Sequence, residues 1–140
     1  MTEPIYVHPV GVVRKRDAVV GIEIFDEYMD ALLGLDGFSH VYVLYWFHKN
    51  DAPDKRRTLQ VHPRGDRNNP LTGVFATHSP LRPNLVALAL CKITAVDGNQ
   101  IQIENIDALD GSPVIDIKCY IPDSVPDVRG LTGALMNRND

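Results

Sequence analysis

Apolar residues in this chain gather in short runs, and each run is soon closed by a turn signal or a cluster of charge. That punctuation limits the fold more than any other feature, because β-branched and aromatic residues in short runs suit strands. Tyr6 to Val13 and Ala18 to Ile24 flank the charged turn Arg14-Lys15-Arg16-Asp17 and predict an opening hairpin. Phe38 to Phe47 is the strongest strand: Tyr42, Leu44 and Trp46 alternate with Val41, Val43, Tyr45 and Phe47, so both faces are expected to be covered. Val86 to Val96 and Gln100 to Ile106 flank Asp97-Gly98, a dipeptide suited to the positive φ angles of a two-residue hairpin turn. Asp110-Gly111-Ser112-Pro113 makes a further turn before a last strand, Val114 to Tyr120.

One helix is expected. Asp26 is placed to cap it, Met29, Leu32 and Leu33 share a face, and Gly34 supplies a left-handed stop. From Asn50 to Asn69 the chain is a long polar loop with one extended stretch, Thr58 to His62. The run Thr77 to Asn84, broken by Pro80 and Pro83, is irregular. There is no βαβ rhythm and no G-x-G-x-x-G after a first strand, which disfavours a Rossmann fold. The fold class is therefore all-β: a small single-domain β-barrel over residues 1–125, with long polar loops and closure that removes strand edges. Residues 126–140 are expected to form an extended or flexible tail.

With 140 residues, 44% of them hydrophobic, the chain has material for one core. No apolar run approaches the roughly 18 residues of a membrane span, and Met1 to Val10 lacks a signal-peptide pattern, so a soluble cytoplasmic protein is expected. Cys91 and Cys119 show no C-x-x-C pattern and read as buried thiols. The five histidines show no ligand spacing, so no metal is expected. Ser39 and Ser79 lack a nucleophile-elbow context, which disfavours a hydrolase.

The net charge of −4 conceals one basic window. Lys49, Lys55, Arg56, Arg57, Arg64 and Arg67 face only Asp51, Asp54 and Asp66. Such a window suits a phosphate-facing patch, although a solvated polar loop is the plainer reading. The aromatic ladder from Tyr42 to Phe47 is at strand spacing, and suits core or subunit interface better than base stacking. Several strands also end in clustered polar residues, the arrangement by which a rigid β scaffold builds a small-molecule pocket at one rim.

Five strings together carry a resemblance: Gly34-Leu35-Asp36-Gly37-Phe38-Ser39-His40, Tyr45-Trp46-Phe47-His48, Gly73-Val74-Phe75-Ala76-Thr77-His78-Ser79-Pro80, Arg82-Pro83-Asn84, and the stretch from Asp110 to Lys118. In this order, over roughly residues 5 to 122, they resemble the motifs of the TrmO (TsaA-like, YaeB-like) tRNA methyltransferase family. The resemblance implies a dimeric barrel that uses S-adenosylmethionine to methylate N6 of threonylcarbamoyladenosine beside the tRNA anticodon. It places His48, Lys49, His78, Leu88, Asp107, Leu109 and Gly111 around the cofactor, and gives Arg82 and Asn84 a substrate-binding or loop-holding role.

Methyl transfer is an in-line displacement, so positioning is expected to supply most of the catalysis. Asp110 and Tyr120 are the candidates for a base, although a carboxylate in a D-G-S-P turn more often bonds backbone. The chain departs from the family at three places. His78 stands where the family has arginine, which removes a permanent charge and a bidentate fork. Leu85-Val86-Ala87 follow Arg82-Pro83-Asn84 in place of P-I-G, and the first hairpin lacks a proline-arginine segment. Two other functions remain compatible: methylation of another small acceptor, and a non-catalytic module that binds S-adenosylmethionine.

Overall fold

The computed structural model describes residues 2–122. The described chain falls into two compact units, one formed by residues 2–46 with 86–120 and the other by residues 47–85 with 121–122.

The first unit is a closed six-stranded barrel. Its strands are β1 (Gly11–Arg16), β2 (Val19–Ile24), β3 (His40–Trp46), β6 (Val86–Asp97), β7 (Gln100–Ile103) and β8 (Pro113–Cys119), hydrogen-bonded in the order β1-β2-β7-β6-β3-β8. Every pairing is antiparallel, and β1 closes the ring on β8. The period-2 pattern explains the interior. Val13, Ile22, Val41, Val43, Ile101 and Val114 are fully buried, while their sequence neighbours point outward. A core of β-branched residues suits strands curved this tightly, since each side chain has few rotamers to lose.

Several sequence expectations shift in register. The charges of Arg14, Lys15 and Arg16 lie within β1 itself, and Asp17 takes the positive φ of 55° at the turn. Residues 6 to 10 are not strand. The helix expected from Asp26 is a 3-10 helix, Asp26–Leu32, with Phe25 rather than Asp26 in the capping position and no side-chain cap; Gly34 does adopt a left-handed φ of 88°. In the β6–β7 hairpin Asp97 pairs with Gln100, so the turn residues are Gly98 and Asn99, one position later than expected. Gly98 has φ 58°, and a glycine at the first central position is what a type II′ turn requires.

On β3 the alternation holds, with Val41, Val43 and Tyr45 buried and Tyr42, Leu44 and Trp46 half-buried on the outer face. The outer face of β6 is barer: Val86, Leu88 and Leu90 are 37%, 54% and 50% exposed.

The second unit is built from loops. A four-residue helix, α1 (Pro53–Arg56), begins with proline at its first position, where a missing N–H costs nothing. β4 (Gln60–Val61) pairs with β5 (Thr72–Gly73), a two-residue remnant of the strand expected over Thr58 to His62. Side chains knit the rest. His62 Nδ1 lies 2.9 Å from Asn69 O, the buried Asn69 amide donates to Pro63 O at 2.8 Å, and Thr77 Oγ1 donates to Val74 O at 2.9 Å. The tail expected over 126–140 lies outside the described residues.

Candidate functional site

At one end of the barrel β3 and β7 finish while β6 and β8 begin, and the β1–β2 turn lies there too. This end carries most of the barrel residues expected at the cofactor. The loop from Glu104 to Ser112 joins β7 to β8 across it. Ile106 and Ala108 are buried and anchor the loop, so that Asp107, Leu109 and Asp110 between and after them are exposed. Gly111 adopts φ 84°, a conformation that lets the chain turn back into β8 and that other residues reach only with strain.

The loop is tied to β1. Gly111 N donates to Val13 O at 2.8 Å and Val13 N to Ser112 O at 2.9 Å. Lys15 N donates to Asp110 Oδ1 at 2.8 Å, and Lys15 Nζ donates to Ile106 O at 2.6 Å. Within the loop, Ser112 Oγ donates to Leu109 O at 2.7 Å. The amides of Asp107 and Leu109 carry no hydrogen bond among the described residues. Asp110 Oδ2 carries none either.

Leu88 lies opposite Leu44 on the outer face of the same half of the barrel. Inside, burial holds the Tyr45 hydroxyl above its ordinary 10.0, with the Asp107 carboxylate and the Cys91 thiol acting in the same direction.

Tyr120 is elsewhere. It follows the far end of β8, where its ring meets Tyr42 edge-on at 5.6 Å and His40 at 6.1 Å. The seven residues of β8 separate it from the Asp110 turn, roughly 20 Å at about 3.3 Å per residue. The structure thus brings Asp110 together with Asp107, Leu109 and Gly111, and does not bring Tyr120 to them. The Tyr120 end also holds an apolar cleft of about 380 Å³ lined by Val10, Ile24, Leu35, Phe38, Ile117 and Cys119 among others. None of the residues expected at the cofactor, at the substrate or as a base lines it.

In the loop unit, His48 and Lys49 occupy a single 3-10 turn, His48–Asn50, with Lys49 and His78 exposed and His48 half-buried. His78 belongs to a segment that Arg82 organises from within. Arg82 Nη1 lies 3.3, 3.2 and 3.1 Å from the carbonyl oxygens of Val74, Thr77 and Ser79. Ser79 N donates to Thr77 Oγ1 and Leu81 N to Ser79 Oγ, both at 3.1 Å. Arg56 adds a tie, with Nε donating to Pro83 O at 2.9 Å and Nη1 paired with Asp51 at 3.2 Å. Asn84 is exposed. Arg82 is therefore tied to the backbone of its own loop.

Lys15 carries no distinguishing mark in the sequence. Within Arg14-Lys15-Arg16-Asp17 it reads as a solvated turn residue, and only the strand register, which carries β1 through Arg16, sets it against the 106–112 loop. Among the described residues no group of three or more His, Cys, Asp or Glu side chains comes together in a way that would hold a metal ion. No helix among them is long and apolar enough to cross a membrane.

Residues 8–125 match the family model of the tRNA-methyltransferase O N-terminal domain. A probable S-adenosyl-L-methionine-binding protein of Methanocaldococcus jannaschii is 49% identical over 115 residues, covering 82% of this chain and 91% of that protein. The mouse tRNA (adenine(37)-N6)-methyltransferase is 44% identical over 100 residues, which cover 71% of this chain but 22% of the mouse protein. Among solved structures, TrmO from Pseudomonas aeruginosa superposes with a TM-score of 0.73 at 25% identity, covering 95% of this chain and 63% of that one. This chain thus spans most of its archaeal relative, under two thirds of the bacterial TrmO and about a fifth of the mouse enzyme. On the strength of the matched span and these identities, the chain belongs to the TrmO family, as a member built on its N-terminal domain.

Proposed function

We propose that this chain binds S-adenosylmethionine and transfers its methyl group to N6 of a tRNA adenosine, with threonylcarbamoyladenosine beside the anticodon as the acceptor. The observation that carries the reading is the 106–112 loop, which is tied to β1 yet leaves the amides of two exposed residues, Asp107 and Leu109, without a hydrogen bond among the described residues. Adenine needs such amides at its edge and apolar cover on its face. Exposed Leu109 and Leu88 supply apolar surface of the right kind, at 57% and 54% exposure. His48, Lys49 and His78 keep the cofactor-lining role that the family resemblance gives them. Asn84 keeps its substrate role.

In the reaction the carbon–sulfur bond of the sulfonium breaks as the carbon–nitrogen bond to N6 forms, leaving S-adenosylhomocysteine, and N6 gives up a proton. A single reaction centre takes at most one of Asp110 and Tyr120, since β8 separates them. We assign the proton to Asp110 Oδ2, with Oδ1 held by the Lys15 amide. The basic window from Lys49 to Arg67 is the proposed phosphate-facing surface. The outer face of β3 and β6 is the proposed seat of a second copy in a homodimer. A tRNA substrate would place the protein in the cytoplasm.

The test is a calorimetric titration with S-adenosylhomocysteine, followed by methyl transfer to bulk tRNA lacking the relevant methyl group. Saturable binding and methylated tRNA support the proposal; no binding at millimolar ligand overturns it. The archaeal relatives are named as binding proteins, which favours a second reading, a cofactor-binding module without catalysis. Tight binding with no methyl acceptor in any cell-extract fraction would select that module. Transfer to a small molecule but not to tRNA would select another acceptor.

A further inference from the structure

Four hydrogen bonds hold the 106–112 loop on β1, and Lys15 makes two of them from different atoms. Its backbone amide takes Asp110 near the loop's end, and its ammonium takes the carbonyl of Ile106 at the loop's beginning. The bonds through Val13 secure only Gly111 and Ser112. Among the described residues Lys15 is therefore the one β1 residue whose side chain hydrogen-bonds the entry to the loop.

A lysine ammonium is an expensive group to spend on a neutral carbonyl. Lys15 has no carboxylate within ion-pair distance among the described residues, and its side chain is half-buried along the loop. A bond from a charged donor is worth roughly twice a neutral one, and at 2.6 Å this one is short. Its target also matters. Ile106 is the buried residue immediately before Asp107, so fixing the Ile106 carbonyl fixes the peptide plane that carries the Asp107 amide.

We infer that Lys15 is a positioning residue for the cofactor: by clamping Ile106 O it orients the Asp107 amide that meets the adenine. This role rests on the reading of the loop given under Proposed function. Lys15 itself does not touch the ligand, and its effect passes through the loop. A positioning role of this kind acts on ligand affinity more than on the chemical step at saturating cofactor.

The experiment compares the full chain with Lys15→Met, which keeps the stem and removes the donors, and Lys15→Arg, which restores donors. Three quantities are read: amide hydrogen exchange over 106–112 without ligand, the dissociation constant for S-adenosylhomocysteine, and methyl transfer at saturating S-adenosylmethionine. For Lys15→Met the expected result is faster exchange at Gly111 and Ser112, the loop's hydrogen-bonded amides, affinity weaker by about tenfold, and a saturated rate that falls by less than the affinity does. Lys15→Arg is expected to recover most of the affinity. Should Lys15→Met fail to fold, Lys15→Gln carries the same comparison, since its shorter neutral amide stops short of Ile106 O. Parental affinity in a folded Lys15→Met variant overturns the inference, as does a Lys15→Arg variant no better than Lys15→Met. A parent chain that does not bind S-adenosylhomocysteine overturns the site itself, a result separate from one in which the parent binds and Lys15→Met binds equally.

Discussion

Arg82 Nη1 lies 3.1 Å from the carbonyl oxygen of Ser79, and the same nitrogen reaches the carbonyls of Val74 and Thr77. One guanidinium nitrogen thus gathers three carbonyls of the segment that carries His78. An arginine spent in this way contributes to stability, because removing it strips charge-assisted partners from carbonyls that are partly buried. Arg82→Ala is expected to lower unfolding free energy by about 2 kcal/mol and to make residues 74–82 the first site of proteolysis. Urea denaturation and limited digestion read both. An Arg82→Ala variant with parental stability and lost activity would make Arg82 a substrate contact instead.

Asp110 separates two jobs by oxygen atom. Asn at this position keeps an acceptor for the Lys15 amide while abolishing the base, so Asp110→Asn is expected to hold stability and S-adenosylhomocysteine affinity within about twofold while kcat falls by about 10²-fold or more. Asp110→Ala removes the acceptor as well and is expected to cost a further ~1 kcal/mol of stability. Equal kcat in Asp110→Asn and the parent would leave the carboxylate with the backbone bond alone.

What was legible in the sequence followed from periodicity. Alternation along Val41, Val43 and Tyr45 announced β3 and its buried face, and the spacing of turns announced a closed all-β unit. Register was not legible. Nothing local distinguishes Asp97-Gly98 from Gly98-Asn99 as the turn pair, or tells that Arg14 to Arg16 continue β1, because those outcomes depend on which strands meet. The contacts of Lys15 and Arg82 were hidden for the same reason: the bonds of Lys15 to residues about ninety positions away, and those of Arg82 to carbonyls within its own loop, are made by long side chains whose targets are backbone atoms and carry no sequence mark. The separation of Asp110 from Tyr120 is a consequence of strand length, visible only once β8 is placed.

The outer face of β6 predicts assembly. Leu90 lies opposite Tyr42 on that face and is 50% exposed. If a second copy covers it, Leu90→Lys buries an unpaired ammonium and is expected to weaken dimerisation by more than about tenfold, without altering the circular dichroism. Sedimentation velocity across a concentration series measures this. A parent chain that sediments as a monomer at high micromolar concentration would remove the dimer.

Cys91 makes stability depend on alkaline pH. Burial raises its thiol from an ordinary 9.0 to about 11, so the native state holds the proton more tightly than the unfolded state. The stabilisation is fully present below pH 9 and is lost as pH rises through about 11, by up to roughly 3 kcal/mol at 1.36 kcal/mol per pH unit. Tyr45, raised chiefly by burial, acts in the same direction. Cys91→Val is expected to flatten part of the decline in melting temperature between pH 9 and 11. Native Cys91 is also expected to react with thiol reagents at pH 8 more slowly than half-buried Cys119. Equal alkaline slopes in parent and variant would exclude Cys91 as their source.

His78 is the departure from the family with the clearest physical consequence. It is exposed on a segment whose backbone is fixed by Arg82 and Thr77, so a longer side chain there has room and a stable base. Arginine would restore a permanent charge and a planar fork for a carboxylate or phosphate, and each charge-assisted contact so gained is worth enough to be measured. His78→Arg is therefore expected to tighten S-adenosylhomocysteine or tRNA binding by about three- to tenfold, with an unchanged melting temperature. The two ligands separate by salt: a gained phosphate contact steepens the fall of tRNA affinity with ionic strength, whereas a gained contact to the cofactor leaves that slope alone. Unchanged affinity for both ligands in a folded His78→Arg variant would mean that this loop faces away from either ligand.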